Sequence, residues 1–374
     1  MKIIRHFIVI SLIFISFGCS STKKSILQET LALDHPKIKN VMSNPDVFEL
    51  QIIYTQILRN KNNKVSFKDH TYQLNANNYF YPASTVKFPI ALMALEKLNS
   101  LPGTSIDNTF EIEGNPSKYK FTEEITKLFA VSDNDASNHL FELIGFEHLN
   151  EGMKAKGLSP FRVSHRLSVP DSGNPLVRKV VVTKKDGTEV TTEEKMNSAS
   201  KPLQIDKVKK GIGYYKENIL VDEPFDFSQK NYLPLETLHN TMKRIVFPEV
   251  YKDSEQFKLT KEQRDFVLFS MSNLPKNAGY DSKVYYDGYC KFFMFGDTKE
   301  NIPSNIKIFN KVGNAYGTLI DCAYIVDELN KVEFIVSATI LVNKDGIFND
   351  DKYDYESIGL PFLAELGRQL YAKN

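Results

Sequence analysis

Tyr81-Pro82-Ala83-Ser84-Thr85-Val86-Lys87 runs straight into Phe88-Pro89-Ile90-Ala91-Leu92-Met93-Ala94-Leu95, and this junction decides how the chain is read. Residues 86–98 are apolar on most sides, the pattern of a helix buried all round. Ser84 stands at its start with Lys87 three residues on, so both side chains fall on one face, one turn apart. A serine at a helix N-terminus meets the positive end of the helix dipole, where backbone N–H groups hold a developing oxyanion. A lysine buried beside it is desolvated, loses its preference for charge and becomes able to accept the serine proton. The Ser-x-x-Lys pattern alone is weak. It begins at Ser20, Ser21, Ser84, Ser117, Ser198 and Ser304, and by itself reads more simply as an N-cap serine with a surface lysine. Only the copy at Ser84 opens a buried helix.

The surroundings supply a scaffold. Residues 47–58 alternate apolar and polar, 60–64 form a turn, and 65–74 alternate again, which predicts a β-hairpin. Residues 306–312, 318–327 and 332–342 are β-rich, with Glu328-Leu329-Asn330-Lys331 as the last turn, and an amphipathic helix is predicted over 355–371. Helical spacing occurs at 26–41, 121–129, 136–144, 149–156 and 233–246. Residues 171–230 are polar with little periodicity and read as a surface excursion, with a small hairpin at 180–190. A hairpin near the start and three strands near the end predict one antiparallel sheet built from both chain ends. It is flanked by helices, with a mainly helical lobe inserted at about 101–300, an α+β architecture.

Two further segments change the reading of Ser84. Ser132-Asp133-Asn134 lies between two helical stretches and offers a hydroxyl and an amide. Lys311-Val312-Gly313 ends a late strand, where a small residue lets a ligand lie against the strand edge. In this order and in these settings, the three segments resemble the signature of the penicillin-recognising superfamily of class A β-lactamases and D,D-peptidases. Tyr81 to Lys87 resembles its nucleophile segment, and Val131-Ser132-Asp133-Asn134-Asp135-Ala136-Ser137-Asn138 its loop and following helix. The resemblance implies roles. Ser84 is the acylated nucleophile and Lys87 its proton acceptor, and Ser132 relays a proton to the leaving group. Asn134 binds the substrate amide, Lys311 attracts a substrate carboxylate beside Gly313, and the N–H groups of Ser84 and Asn314 form the oxyanion hole.

The sequence also departs from the family. Its β-lactamases carry a glutamate in an omega loop that activates the deacylating water. Aligning Arg166 with the family's loop arginine puts Ser168 at that position, and Asp171 is the nearby carboxylate that stands as an alternative base. Val312 replaces the threonine of the strand motif. The 227 residues from Ser84 to Lys311 exceed what a compact member needs, with the excess in 171–300 beside the expected cleft.

The N-terminus reads as an address. Lys2 and Arg5 precede a short apolar run that ends at Ser16-Phe17-Gly18-Cys19, resembling a bacterial lipoprotein signal. The expected layout is a signal over 1–18, lipidation at Cys19, a tether over 19–30 and one catalytic domain over 31–374, exported to the cell envelope and facing the periplasm. No later segment has the roughly 20 apolar residues of a membrane span. Loss of residues 1–18 removes Lys2 and Arg5 and no acid, leaving 45 basic and 46 acidic residues, a net charge of −1. That balance gives no reason to expect nucleic acid as a partner. Cys290 and Cys322 remain as a possible disulfide. No cofactor or metal is expected: residues 345–354 read as a solvated acidic loop rather than a calcium site. His139 reads as a packed or surface residue, and the aromatics of 285–293 as strand or core packing, with cleft lining as the alternative.

Three functions fit these residues. One is β-lactam hydrolysis through an acyl-enzyme at Ser84. Another is peptidase, penicillin-binding or esterase chemistry on cell-wall peptides with slow deacylation. The last is a non-catalytic envelope protein, although a binding module has no need of Ser84, Lys87, Ser132, Asn134 and Lys311 together.

Overall fold

The computed structural model describes residues 24–374, so Cys19 and the signal lie outside the described residues. Five long strands form one antiparallel sheet: β1 (Gln51–Arg59), β2 (Val65–Tyr72), β3 (Ile306–Ala315), β4 (Thr318–Asp327) and β5 (Val332–Leu341), in the order β3-β4-β5-β1-β2. The two ends of the chain meet where β1 pairs with β5, Gln51 opposite Thr339 and Gln56 opposite Phe334. Successive strand residues point to opposite faces, and both faces are covered. Ile53, Ile320, Cys322 and Ile335 face the inserted lobe, whereas Ile52, Tyr54, Ala323 and Ile325 face the terminal helices. This is the predicted α+β sheet assembled from both termini.

The terminal layer holds α1 (Ile26–Leu31) and α2 (Pro36–Met42), and the lobe contains α3 (Lys87–Asn99), α4 (Phe121–Ala130), α5 (Asn134–Ala155), α6 (Leu235–Val246) and α7 (Lys261–Ser272). The last helix, α8 (Leu360–Lys373), returns to the terminal layer. Residues 26–30, expected in a tether, belong to α1, which buries Leu27 and Leu31. The two helices expected at 136–144 and 149–156 are one element, α5, broken at Gly145, whose φ of +69° suits glycine. The lobe is less helical than expected. Thr109–Ile112, Lys118–Lys120, Val180–Thr183 and Glu189–Thr191 form a small antiparallel sheet that includes the predicted 180–190 hairpin. Strands this short show no clear alternation in the sequence. Helix α7 was not anticipated, although its start is written in Thr260 and Gln263, which cap each other's backbone N–H groups.

The excursion shapes the cleft. Gly213–Lys216 pairs in parallel with Ile347–Phe348, tying the excursion to the acidic loop. Buried Tyr79, Tyr81, Phe227, Tyr232 and Phe348 cluster there, with Phe225 and Tyr316 packed against them. Cys290 and Cys322 are both free and buried, so they do not form the disulfide that the sequence left open. Cys322 packs in the lobe-side core and Cys290 in the terminal layer.

Candidate active site

Ser84 lies in a 3-10 turn, Ala83–Val86, that continues directly into α3. Ala83 holds a left-handed φ of +46°, a conformation that persists only when its surroundings enforce it. Two contacts do so here. The Thr85 hydroxyl donates to the Pro82 carbonyl at 2.6 Å, and β3 lies against the turn. A Cβ at Gly313 would stand 2.9 Å from the Pro82 oxygen and 3.0 Å from the Ser84 nitrogen, so only glycine lets strand and turn approach this closely.

Two lysines converge on Ser132. Lys87 is fully buried, and its Nζ donates to the Ser132 carbonyl and, at 3.4 Å, to Ser132 Oγ. Lys311 Nζ donates to Ser132 Oγ at 2.8 Å and to the Val312 carbonyl at 2.7 Å. Ser132 occupies the left-handed region at φ +58°, which places its carbonyl and hydroxyl between the two ammonium groups. Burial pushes Lys87 well below the ordinary lysine range, and the charge of Lys311 pushes it further. Burial also lowers Lys311, to about 8. Burial and the neighbouring Lys311 charge thus favour the neutral, proton-accepting form of Lys87.

Behind β3 lies a buried network that the sequence reading missed. Asp321 accepts from Asn310 Nδ2 at 2.9 Å and from the Phe293 N–H at 3.1 Å, and Lys291 Nζ donates to Asn310 Oδ1 at 2.7 Å. Burial raises the Asp321 carboxyl to about 6 and lowers Lys291 to about 8. Its one sequence signal is an acid in the middle of the β-rich run 318–327.

Ser84, Asn134, Asn314 and Tyr355 line two cavities, of about 680 Å³ and about 290 Å³. The larger is walled by the loop that carries His165 to Val169 and Ser172, called the omega loop below, by Tyr81 and Tyr316, and by the acidic loop through Asn349, Asp351 and Tyr353. Arg166 fastens the omega loop, with Nε on Glu142 at 2.8 Å and its terminal nitrogens on the Asn174 and Leu176 carbonyls. Asn138 adds a two-way bond to Leu167, donating at 2.8 Å to its carbonyl and accepting at 3.0 Å from its N–H. Ser168 reaches the cavity and accepts from Asn134 Nδ2 at 3.0 Å. Asp171 does not line either cavity. It is exposed and accepts from Asn174 Nδ2 at 2.8 Å, which removes it as a substitute base.

His165 also lines the larger cavity, its ring parallel to that of Tyr81 at 6.1 Å. Its Nδ1 donates to the Arg166 carbonyl at 2.6 Å, and burial holds the imidazole neutral by lowering it to about 4. His139 is packed, with Nδ1 at 2.8 Å from Glu124 and its ring against Tyr119. The aromatic segment 285–293 does both: Phe292 and Phe293 pack in the terminal-layer core, while Tyr286, Tyr289 and Phe292 wall the smaller cavity. Among the described residues no His, Cys, Asp and Glu side chains gather into a metal-holding group, and no helix is long and apolar enough to cross a membrane.

Residues 36–204 match the β-lactamase enzyme family, a span that contains Ser84, Lys87, Ser132, Asn134 and Ser168. No curated protein sequence matches the chain. A class A β-lactamase from Bacteroides cellulosilyticus has the same fold, with a TM-score of 0.53 and 11% identity over 93% of this chain and 98% of its own. A β-lactamase from Xanthomonas campestris superposes with a TM-score of 0.51 at 14% identity, over 92% of this chain and 97% of its own. A β-lactamase from Sphaerobacter thermophilus gives 0.51 at 10% identity, over 92% and 94%. Residues 36–204 are thus similar to the β-lactamase enzyme family, and the chain has the fold of class A β-lactamases.

Proposed function

We propose that the protein is a serine hydrolase that forms an acyl-enzyme at Ser84 and releases it slowly, as penicillin-binding proteins, peptidases and esterases do. The observation that carries this reading is the convergence of a desolvated Lys87 and a charged Lys311 on Ser132, beside Ser84. Lys87 takes the Ser84 proton as Oγ bonds to the carbonyl carbon. The amide C–N bond then breaks, and the leaving nitrogen receives a proton through Ser132, whose oxygen accepts from Lys311. The N–H groups of Ser84 and Asn314 are the proposed oxyanion donors, and Asn134 the binder of the substrate amide.

Slow release is supported by the omega loop, which presents Ser168 in place of a carboxylate, with that hydroxyl already engaged by Asn134. A neutral serine is a poor base for activating water. β-Lactams and cell-wall peptides are the proposed acyl donors, and β-lactamase turnover is the second reading, favoured by the fold. From Gly18-Cys19 and the apolar run before it we also propose export and a lipid anchor at Cys19 in the cell envelope. Labelled fatty acid incorporated by the native chain and not by Cys19→Ala tests the anchor.

The decisive experiment is intact-protein mass spectrometry with a penicillin and a cephalosporin, using Ser84→Ala as control. An adduct on Ser84 that persists for hours is the expected result. Decay within seconds would identify a β-lactamase instead, and no adduct with either drug would remove β-lactams from the substrate class.

A further inference from the structure

Ser132, the hydroxyl proposed to protonate the leaving group, lines the smaller cavity and not the larger. The leaving group therefore departs on that side. The acyl part that stays on Ser84 lies in the larger cavity, toward the omega loop. That cavity has a neighbour. His165, Ser172 and Lys230 line it and also line a further cavity of about 290 Å³, so these three residues stand between the two.

Lys230 is the free cation there. Arg166 lines the larger cavity as well, but its guanidinium is engaged by Glu142 and two carbonyls. Burial keeps the His165 imidazole neutral. Lys230 is half-buried, and burial lowers its ammonium below the ordinary lysine value, with no carboxylate among the described residues acting against it. Among the described residues no acid lines the further cavity, which is edged instead by Ser164, Ser172, Ser198 and Ser200. Asp351 is the one acid on the larger cavity, and it is exposed, so water and salt screen it.

The backbone fixes this lysine in place. Its N–H donates to the Phe227 carbonyl at 2.9 Å, and its carbonyl accepts from the Arg162 guanidinium. Next to it, Asn231 Oδ1 accepts from the N–H groups of Ser164 and His165 at 2.8 Å and 3.2 Å, which ties the segment to the omega loop. An ammonium drawn partly out of water without a counterion is stabilised by an anion that reaches it.

We propose that Lys230 is a specificity-determining residue of an acyl-side subsite that takes chains ending in a carboxylate, so that β-lactams or cell-wall peptides with an acidic acyl chain are the preferred donors to Ser84. This rests on the serine acyl-transfer reading above. The Ser84 Oγ–acyl bond forms as the amide C–N bond breaks, and the Ser84 proton ends on the leaving nitrogen by way of Lys87 and Ser132. The carboxylate stays on the acyl chain, opposite Lys230.

Two penicillins with hexanoyl and adipoyl side chains make the test pair. They share the ring system and its carboxylate and differ at the chain end, methyl against carboxylate. Second-order acylation rates of the full chain are read from intact-protein mass, or as kcat/KM where the adduct turns over, with Ser84→Ala as background. The adipoyl compound is expected to react about fivefold faster, the upper end for an ion pair open to water. Higher salt should shrink the ratio. Lys230→Met should bring it to about one and Lys230→Arg should keep it. Each ratio is taken within one protein, so a loss of folded fraction cancels. Equal rates in the native chain, a preference for hexanoyl, or an adipoyl preference that survives Lys230→Met would overturn the subsite while Ser84 chemistry stands. Acylation no faster than the Ser84→Ala background with either penicillin would overturn the serine reading itself, and the subsite with it.

Discussion

The side-chain amide of Asn134 donates to the hydroxyl of Ser168 at 3.0 Å, joining the first turn of α5 to the omega loop directly across the larger cavity. The bond places Ser168 on the cavity wall while giving it no basicity. In the proposed reading Ser168 stands where a deacylating base would act, and a neutral serine hydroxyl is a poor acceptor of a proton from water.

Ser168→Glu is therefore expected to shorten the acyl-enzyme lifetime by about 10²-fold or more, the scale of a positioned general base. The lifetime is read from decay of the adduct mass. Asp171→Asn is expected to change nothing, because Asp171 is exposed and bonded to Asn174 away from both cavities. A longer-lived adduct in Asp171→Asn would show that the loop rearranges on acylation.

In the proposed mechanism acylation needs Lys87 neutral and Lys311 charged. Burial and the charge of Lys311 depress Lys87 well below its ordinary value, so the acid limb of kcat/KM against pH should lie far under the usual lysine range. The alkaline limb should fall near pH 8, where Lys311 loses its proton. Lys87→Ala should slow acylation by about 10²–10⁴-fold. Lys311→Met should abolish the alkaline limb, measured as acylation rate across pH.

Gly313→Ala forces a methyl group against the Pro82 oxygen and the Ser84 nitrogen, backbone atoms that cannot rotate away. Overpacking of this kind costs about 1–3 kcal/mol. Here it also pushes β3 off the nucleophile turn. Both a lower Tm and a loss of acylation are expected, whereas Gly173→Ala, in open space, should alter neither.

His239 gives the fold a pH dependence separate from activity. It is 1% exposed, with Nε2 at 2.7 Å from Thr55 Oγ1 and Nδ1 at 2.8 Å from Ser337 Oγ, and burial lowers it to about 3. Between the ordinary imidazole value and about pH 3 the unfolded chain binds a proton that the native protein does not. Stability is full above that window and falls as pH drops through it, by up to about 1.4 kcal/mol per unit. Denaturant midpoints for the native chain and His239→Gln at pH 7.5 and 5 check this, the variant losing less on acidification.

Much of the architecture was legible because its cues are local. Alternation in 47–58 and 65–74 marked the hairpin, and the β-rich runs after 306 marked the remaining strands of the sheet. Thr109–Ile112 and Lys118–Lys120 escaped because three or four residues are too few to display a period. Ser84, Lys87, Ser132, Asn134 and Lys311 were legible as a set, since three spaced motifs share one order. Asp321, Asn310 and Lys291 were not, because their meaning comes from pairing between β3 and β4 and from a loop packed behind both.

By itself the sequence marked the candidate groups and the elements that carry them, because helix dipoles, side-chain periodicity and turn residues act over a few positions. Tertiary structure decided their state. Burial of Lys87 beside Lys311 pushed Lys87 well below the ordinary lysine range, and the fold of the omega loop put Ser168 rather than Asp171 on the cavity wall. The packing of residues 285–293 beside Ser132 turned a run of aromatics into a chamber wall. Desolvation and contact arise from atoms far apart in the chain, and only folding brings them to one place.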